Sequence, residues 1–293
     1  AVDSLAAKVR NISTNISAHY VDNARKLPWR VPPEDSKRGI LPDPYHVWLS
    51  EIMLQQTQVA RVIDRWQRFL QRFPTVEACA AAPVGDIIDE WSGLGYNRRA
   101  VNLHRCAQAL VDEHEGALPQ DRAGLEALPG IGPYTSRAVL AFAFERDDVG
   151  VLDTNAARVL ARWEGRCLGR AEAQRQADDI VPPGQGWAWN QAMLDLGATV
   201  CRAREPACES CPVAKGCGWA RSGRPDPDPA VGSAGVSGPQ SRFAGSDREG
   251  RGRLVDQLRA GPVAAQQIAA ACGWPDDEER ARRVAPSLVR DGL

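Results

Sequence analysis

The sequence predicts an all-α protein, and three observations carry that expectation. Apolar residues recur three or four apart in segment after segment, the rhythm of helices with one buried face. A turn made almost wholly of proline and glycine, Pro129-Gly130-Ile131-Gly132-Pro133, separates two such segments. Four cysteines then crowd into the stretch from Cys201 to Cys217, directly behind another apolar segment.

The chain has 293 residues, enough for two modest domains with a sizeable core. At 43% hydrophobic residues it can fold without external staples. The formal charge of −1 excludes a globally basic molecule, so any nucleic-acid contact must use local patches. Lysine occurs only at Lys8, Lys26, Lys37 and Lys215, so nearly all positive charge is arginine. Arginine suits bidentate phosphate contacts, although a GC-rich genome produces the same bias. No apolar run approaches the roughly 20 residues of a membrane helix, and residues 1–20 do not read as a signal peptide. A cytoplasmic location with no membrane partner is therefore expected. Cys79, Cys106, Cys167 and Cys272 stand apart, as reduced core thiols do.

Taken in order, residues 1–25 predict one helix on Leu5, Val9, Ile12 and Ile16, broken by Leu27-Pro28-Trp29-Arg30. Proline-rich residues 31–44 read as a surface loop. Residues 44–59 form a largely buried helix on Val47, Trp48, Ile52 and Val59, with Glu51 inside it. A buried carboxyl is costly to ionise, so its pKa should rise towards that of a general acid. A Glu at the rim paired with an arginine such as Arg30 fits the pattern too.

Helical rhythm continues from Val62 to Phe73, and Thr75 can cap the next helix. Gly93-Leu94-Gly95-Tyr96-Asn97-Arg98-Arg99 places an aromatic beside cations, which suits base stacking with phosphate neutralisation, although the segment by itself reads first as a plain loop before the helix Ala100–His114. The Pro129–Pro133 turn must reverse the chain, because glycine supplies positive φ and proline removes donors. It aims helix-start N–H groups outward, a ready anion site. About twenty residues after it, the apolar run Val149–Leu152 ends at Asp153, which opens a helix continuing through Arg162.

Cys201, Cys208, Cys211 and Cys217 have the spacing C-x6-C-x2-C-x5-C. Zinc sites generally pair two C-x2-C knuckles, whereas this loop has one; iron–sulfur clusters also take four thiolates. Residues 221–249, rich in Gly, Pro, Ser and Asp, read as a flexible linker. Residues 250–293 regain helical rhythm as three short helices, a small winged-helix-like module whose strands, if any, would follow Leu293.

Over residues 27–220 these motifs, in this order, resemble the MutY-type adenine DNA glycosylases of the helix-hairpin-helix, endonuclease III superfamily. The likeness rests on Leu27-Pro28-Trp29-Arg30, Val47–Thr57, Gly93-Leu94-Gly95-Tyr96, Leu128-Pro129-Gly130-Ile131-Gly132, Leu152-Asp153 and the cysteine loop. The resemblance implies a helix-hairpin-helix DNA glycosylase fold, with a six-helix barrel over 31–150 and the site in a cleft beside a [4Fe-4S] cluster domain made of 1–30 and 151–220. It implies that Glu51 protonates the adenine and helps activate water, and that Asp153 stabilises the cationic sugar. Arg30 and Leu54 would line the adenine pocket, and Gln56 and Tyr96 would fill or wedge the base stack. Gly130, Gly132, Tyr134 and Thr135 of the hairpin, with Asn155, would contact DNA. Cys201, Cys208, Cys211 and Cys217 would hold the cluster.

The nucleophilic lysine of the bifunctional endonuclease III relative aligns with Tyr134, and no lysine lies between Lys37 and Lys215. A monofunctional hydrolase is therefore expected, a monomer acting on duplex DNA with A:8-oxoguanine or A:G mispairs, in a bacterial cytoplasm at the nucleoid. The sequence departs from the family at Asn97 and Thr154, and lacks room after the cysteines for the Nudix-like domain of larger members. An endonuclease III-like or thymine-mismatch glycosylase, and a non-catalytic DNA-binding iron–sulfur protein, are the competing readings.

Overall fold

The computed structural model describes residues 2–233, 235–236 and 242–293, with side chains from Ile12 onward. Every regular element among the described residues is helical, as expected. None of these helices is long and apolar enough to cross a membrane. The backbone forms two compact units. One joins Ala1–Glu51, Pro119–Ala127 and Ile131–Gly238; the other joins Ile52–Leu118, Leu128–Gly130 and Pro239–Leu293.

In the first unit the Val2–Asn23 helix packs on the Gly186–Asp195 helix. Ile16 and Tyr20 are buried there, and the Tyr20 ring meets Trp187 edge-on at 6.2 Å. Leu5 and Val9 lie among the residues whose side chains are not described. Thr154–Glu164 and Pro133–Phe144 complete the core, the latter buried continuously from Thr135 to Ala143. That second helix is apolar nearly all round, which is what a central helix requires.

The approach to Asp153 is built by two close contacts. Asn190 accepts from the Val151 N–H (2.7 Å) and donates to the Val149 carbonyl (3.1 Å), so the buried run is pinned on both sides. Gly150 lies against the Ala177 backbone, and a Cβ there would stand 2.2 Å from the Ala177 carbonyl carbon. Only glycine lets the strand-like run pass.

In the second unit the Val59–Arg72 helix buries Val62, Trp66 and Phe69. Thr75 accepts from the Ala78 N–H and starts Val76–Ala81, which packs on Arg98–His114. The C-terminal module has the three expected helices, Asp247–Ala260, Ile268–Ala271 and Glu278–Asp291. They share a core of Leu254, Val255, Ala269, Cys272, Ala281 and Leu288, against which Ile88 also packs.

Gly150→Ala is expected to lower stability by about 1–3 kcal/mol, because the obstacle is backbone and cannot rotate away. Thermal unfolding measures this.

Candidate active site

Glu51 is 7% exposed on the Pro44–Leu54 helix, whose residues Val47, Trp48, Leu49, Ile52 and Met53 are all buried. Burial pushes the Glu51 pKa up to about 7. Two groups pull against that rise. The Tyr134 hydroxyl donates to Oε2 at 3.2 Å, and the Arg30 charge acts through space. The Asp153 charge adds to the rise, so the two carboxyl groups share one electrostatic neighbourhood.

Asp153 caps the Thr154–Glu164 helix. Its Oδ1 accepts from the Ala156 N–H at 2.7 Å and its Oδ2 from the Asn155 amide at 2.9 Å. Enclosure by protein raises its pKa, while these hydrogen bonds and the Arg158 charge pull it down. Burial thus raises both carboxyls, and they differ in their partners: Glu51 accepts from one hydroxyl, whereas Asp153 accepts from two N–H donors that partly offset its rise. Burial and the adjacent carboxyls hold the Tyr134 hydroxyl well above its ordinary pKa, so it remains a donor.

Arg30 does not pair with Glu51, the alternative that the sequence left open. Its Nη1 donates to both oxygens of Asp195, at 3.0 and 2.9 Å. Arg25 donates to the same carboxylate from its backbone (2.9 Å) and its Nε (2.6 Å). Asp195 is 4% exposed, and sequence reasoning missed it. The only signal was an acid at the end of an apolar helix, six residues before Cys201.

From Asp153 a hydrogen-bonded path leads to the cysteine loop. Asn155 bonds Asp153 on one side and accepts from Arg158 Nη2 on the other, at 2.7 Å. Arg158 also donates to the carbonyls of Gly197 (2.6 Å) and Cys201 (2.7 Å). Arg162 reaches the Cys201 sulfur at 3.3 Å. All four expected cysteines line one small cavity, partly open to solvent, with Val200, Ala207 and Trp219 as apolar walls. Four thiol donors around one apolar cavity fit a group with four thiolate ligands. Burial raises the pKa of Cys201, of Cys217 and of Cys211 (to about 11), so a bound metal centre must displace their protons.

Part of the stretch expected as flexible linker is packed instead. Asp228 pairs with the buried Arg162 at 2.5 Å, Trp219 donates to the Pro225 carbonyl at 2.9 Å, and Ser233 accepts from the Leu168 N–H at 3.1 Å. Polar composition suggested solvation there, but those polar groups have partners.

Of the remaining candidates, Leu54, Gln56, Tyr96 and Gly130 belong to the second unit, and Gly132, Tyr134 and Thr135 to the first. Leu54 ends the Glu51 helix. Gln56 and Tyr96 are exposed and both adopt left-handed backbone, at φ 53° and 48°. Arg99, one of two cations that the sequence left open between phosphate neutralisation and a plain loop, is turned inward. It donates to the carbonyls of Ile52 (2.9 Å), Met53 (2.9 Å), Gln55 (2.6 Å), Leu94 (3.1 Å) and Gly95 (2.9 Å). It thus stops one helix and shapes the loop before the next. In the hairpin, Gly130 has φ 79° with the Asn102 side chain pressed against it, and Gly132 precedes the Pro133–Phe144 helix. No side chain caps that helix start, where Tyr134 and Thr135 fall.

A family model described as HhH-GPD superfamily base excision DNA repair protein matches residues 49–183. That stretch, with the all-helical fold around it, is thus similar to a helix-hairpin-helix base excision repair domain. More narrowly, the chain belongs to the adenine DNA glycosylase family. It is 39% identical to the adenine DNA glycosylase of Mycobacterium tuberculosis H37Rv, over 97% of this chain and 90% of that one. The human adenine DNA glycosylase is 37% identical over 72% of this chain and 40% of its own. Among solved structures, a thermostable thymine-DNA glycosylase matches with TM-score 0.66 and 26% identity, over 75% of this chain and 99% of that one. A trapped endonuclease III–DNA covalent intermediate matches in fold, with TM-score 0.60 and 22% identity, over 75% and 98%.

Asp195→Ala leaves Arg30 without its buried counter-charge. It is expected to destabilise the protein by about 3–5 kcal/mol in urea unfolding, while Asp195→Glu recovers part of the loss.

Proposed function

We propose that this protein is a monofunctional DNA glycosylase of base excision repair. Its reaction is hydrolysis of the N-glycosidic bond of adenine mispaired with 8-oxoguanine or guanine in duplex DNA. The observation that carries the reading is the Glu51–Asp153 pair. One carboxyl has its pKa lifted to about 7 by burial, and the other is held by N–H donors within its field. An adenine inside a duplex cannot reach such groups, so it must first leave the stack.

Glu51 gives its proton to a ring nitrogen of the extruded adenine. The C1′–N9 bond then breaks, and its electron pair passes into the purine. The cationic sugar that remains is stabilised by the Asp153 carboxylate. Water adds to C1′ and loses its proton to the Glu51 carboxylate, which restores the acid. Tyr134 stands where an imine-forming lysine would be, and its hydroxyl is committed to Glu51, so water is the attacker.

Arg30, fixed by Asp195, and Leu54 would bound the adenine pocket. Gln56 and Tyr96 would enter the stack. The Gly130–Thr135 turn and Asn155 would engage the DNA strand, the helix start supporting phosphate through its positive end. Cys201, Cys208, Cys211 and Cys217 would hold a [4Fe-4S] cluster, which when bound cross-links the loop through four thiolates.

The deciding experiment is base release from A:8-oxoguanine, A:G, T:G and thymine-glycol duplexes. Adenine release is expected; thymine or thymine-glycol release alone would replace this reading with that of the thymine-mismatch or oxidised-pyrimidine enzymes. Borohydride should trap no enzyme–DNA adduct.

Glu51→Gln should abolish release and leave duplex binding largely intact. It should also stabilise the fold at high pH. A carboxyl whose folded pKa is raised from 4.5 to about 7 favours the native state only while protonated, so stability is lost as pH rises through that window. Above pH 8 the gain in Glu51→Gln should approach roughly 3 kcal/mol, read by denaturant unfolding at pH 5 and pH 8.5. In the wild type, base release should decline as pH rises past about 7.

A further inference from the structure

Tyr96 is 42% exposed, yet it is not free to swing. Its backbone is left-handed, and the Arg99 guanidinium lies 5.8 Å from its ring centroid. A third restraint comes from far along the chain. Arg248 Nη1 donates to the Tyr96 hydroxyl at 2.8 Å.

Arg248 sits in the first turn of the Asp247–Ala260 helix, and that start is itself fixed. Ser246 caps it by accepting from the Glu249 N–H, and Glu249 in return accepts from the Gly245 N–H at 2.6 Å. This reciprocal arrangement is a capping box shifted by one donor. The module that carries the helix is anchored to the body of its unit elsewhere as well. Arg259 donates to the Ile88 carbonyl at 3.0 Å, and Ile88 packs on the module's core. Asp291 pairs with Arg251 at 2.5 Å and with Arg98 at 3.6 Å, two residues from Tyr96.

We propose that Arg248 is a positioning residue for Tyr96, and that through it the C-terminal module takes part in DNA binding. An exposed tyrosine meant to enter a base stack loses rotational freedom on doing so. A ring fixed beforehand from the hydroxyl end has less freedom to lose, and so binds more tightly. The partner is duplex DNA at the stack that Tyr96 enters. The proposal rests on the wedge role given to Tyr96 above.

The test is a double-mutant cycle in the full-length, cluster-loaded chain: Arg248→Ala, Tyr96→Phe, the double variant, and Arg248→Lys. Affinity is read by fluorescence anisotropy on a duplex bearing 2′-fluoroadenosine opposite 8-oxoguanine, which resists hydrolysis. Base release is read in single turnover at saturating enzyme on the natural duplex. Arg248→Ala and Tyr96→Phe should each weaken binding about three- to tenfold, the worth of one hydrogen bond. The double variant should be no weaker than either alone, because both remove the same bond. Arg248→Lys should recover part of the affinity. Binding should fall by more than the saturated rate.

Fully additive losses would overturn the proposal, since Arg248 would then be acting on DNA independently of Tyr96. Unchanged affinity in Arg248→Ala would overturn it as well. A wild type that binds the duplex and shows this coupling, but releases no adenine, would instead overturn the reaction assigned above.

Discussion

The constraint on which the structure turns is that two carboxyl groups, both raised in pKa by burial, must occupy one poorly hydrated neighbourhood with different hydrogen-bond partners. Glu51 meets it through burial on an apolar helix, with the Tyr134 hydroxyl as its donor. Asp153 meets it through the amides of Ala156 and Asn155. Much of the first unit serves to maintain that difference. Asn190 and Gly150 deliver Asp153, Asp195 retains Arg30, and the Pro133–Phe144 helix brings Tyr134.

The second theme is the use of arginine as an internal fastener. Arg99, Arg158 and Arg162 each turn a planar fork of donors onto several carbonyl oxygens. A guanidinium can do this because its five N–H groups diverge in a fixed plane, which an ammonium cannot match. The near absence of lysine is therefore consistent with the architecture, whatever produced the codon bias. Arg162 adds the Asp228 carboxylate and lies 4.7 Å from the Trp219 ring centroid, so the loop behind the cysteines is tied to the helix that Asp153 caps.

Much of this was legible in the sequence, for identifiable reasons. Helix periodicity, the Pro-Gly turn and the Thr75 cap are local signals, and the structure carries them almost where they were expected. Glu51 was legible because an acid within an apolar stripe is anomalous. Asp195 and Arg99 were not, because their roles depend on partners 165 residues away and on carbonyls at the end of another helix. The Gly93–Arg99 segment stayed open between phosphate contact and plain loop for the same reason: the carbonyls that Arg99 binds lie partly on another segment. Residues 224–233 were misread because polarity predicts solvation only when no buried partner waits, and Arg162 is such a partner.

Arg99 has one more consequence. Its guanidinium holds the peptide just before Gln56 and the peptide just before Tyr96. Two fingertips thus hang from a single knuckle. A displacement of either loop is therefore carried to the other through one guanidinium.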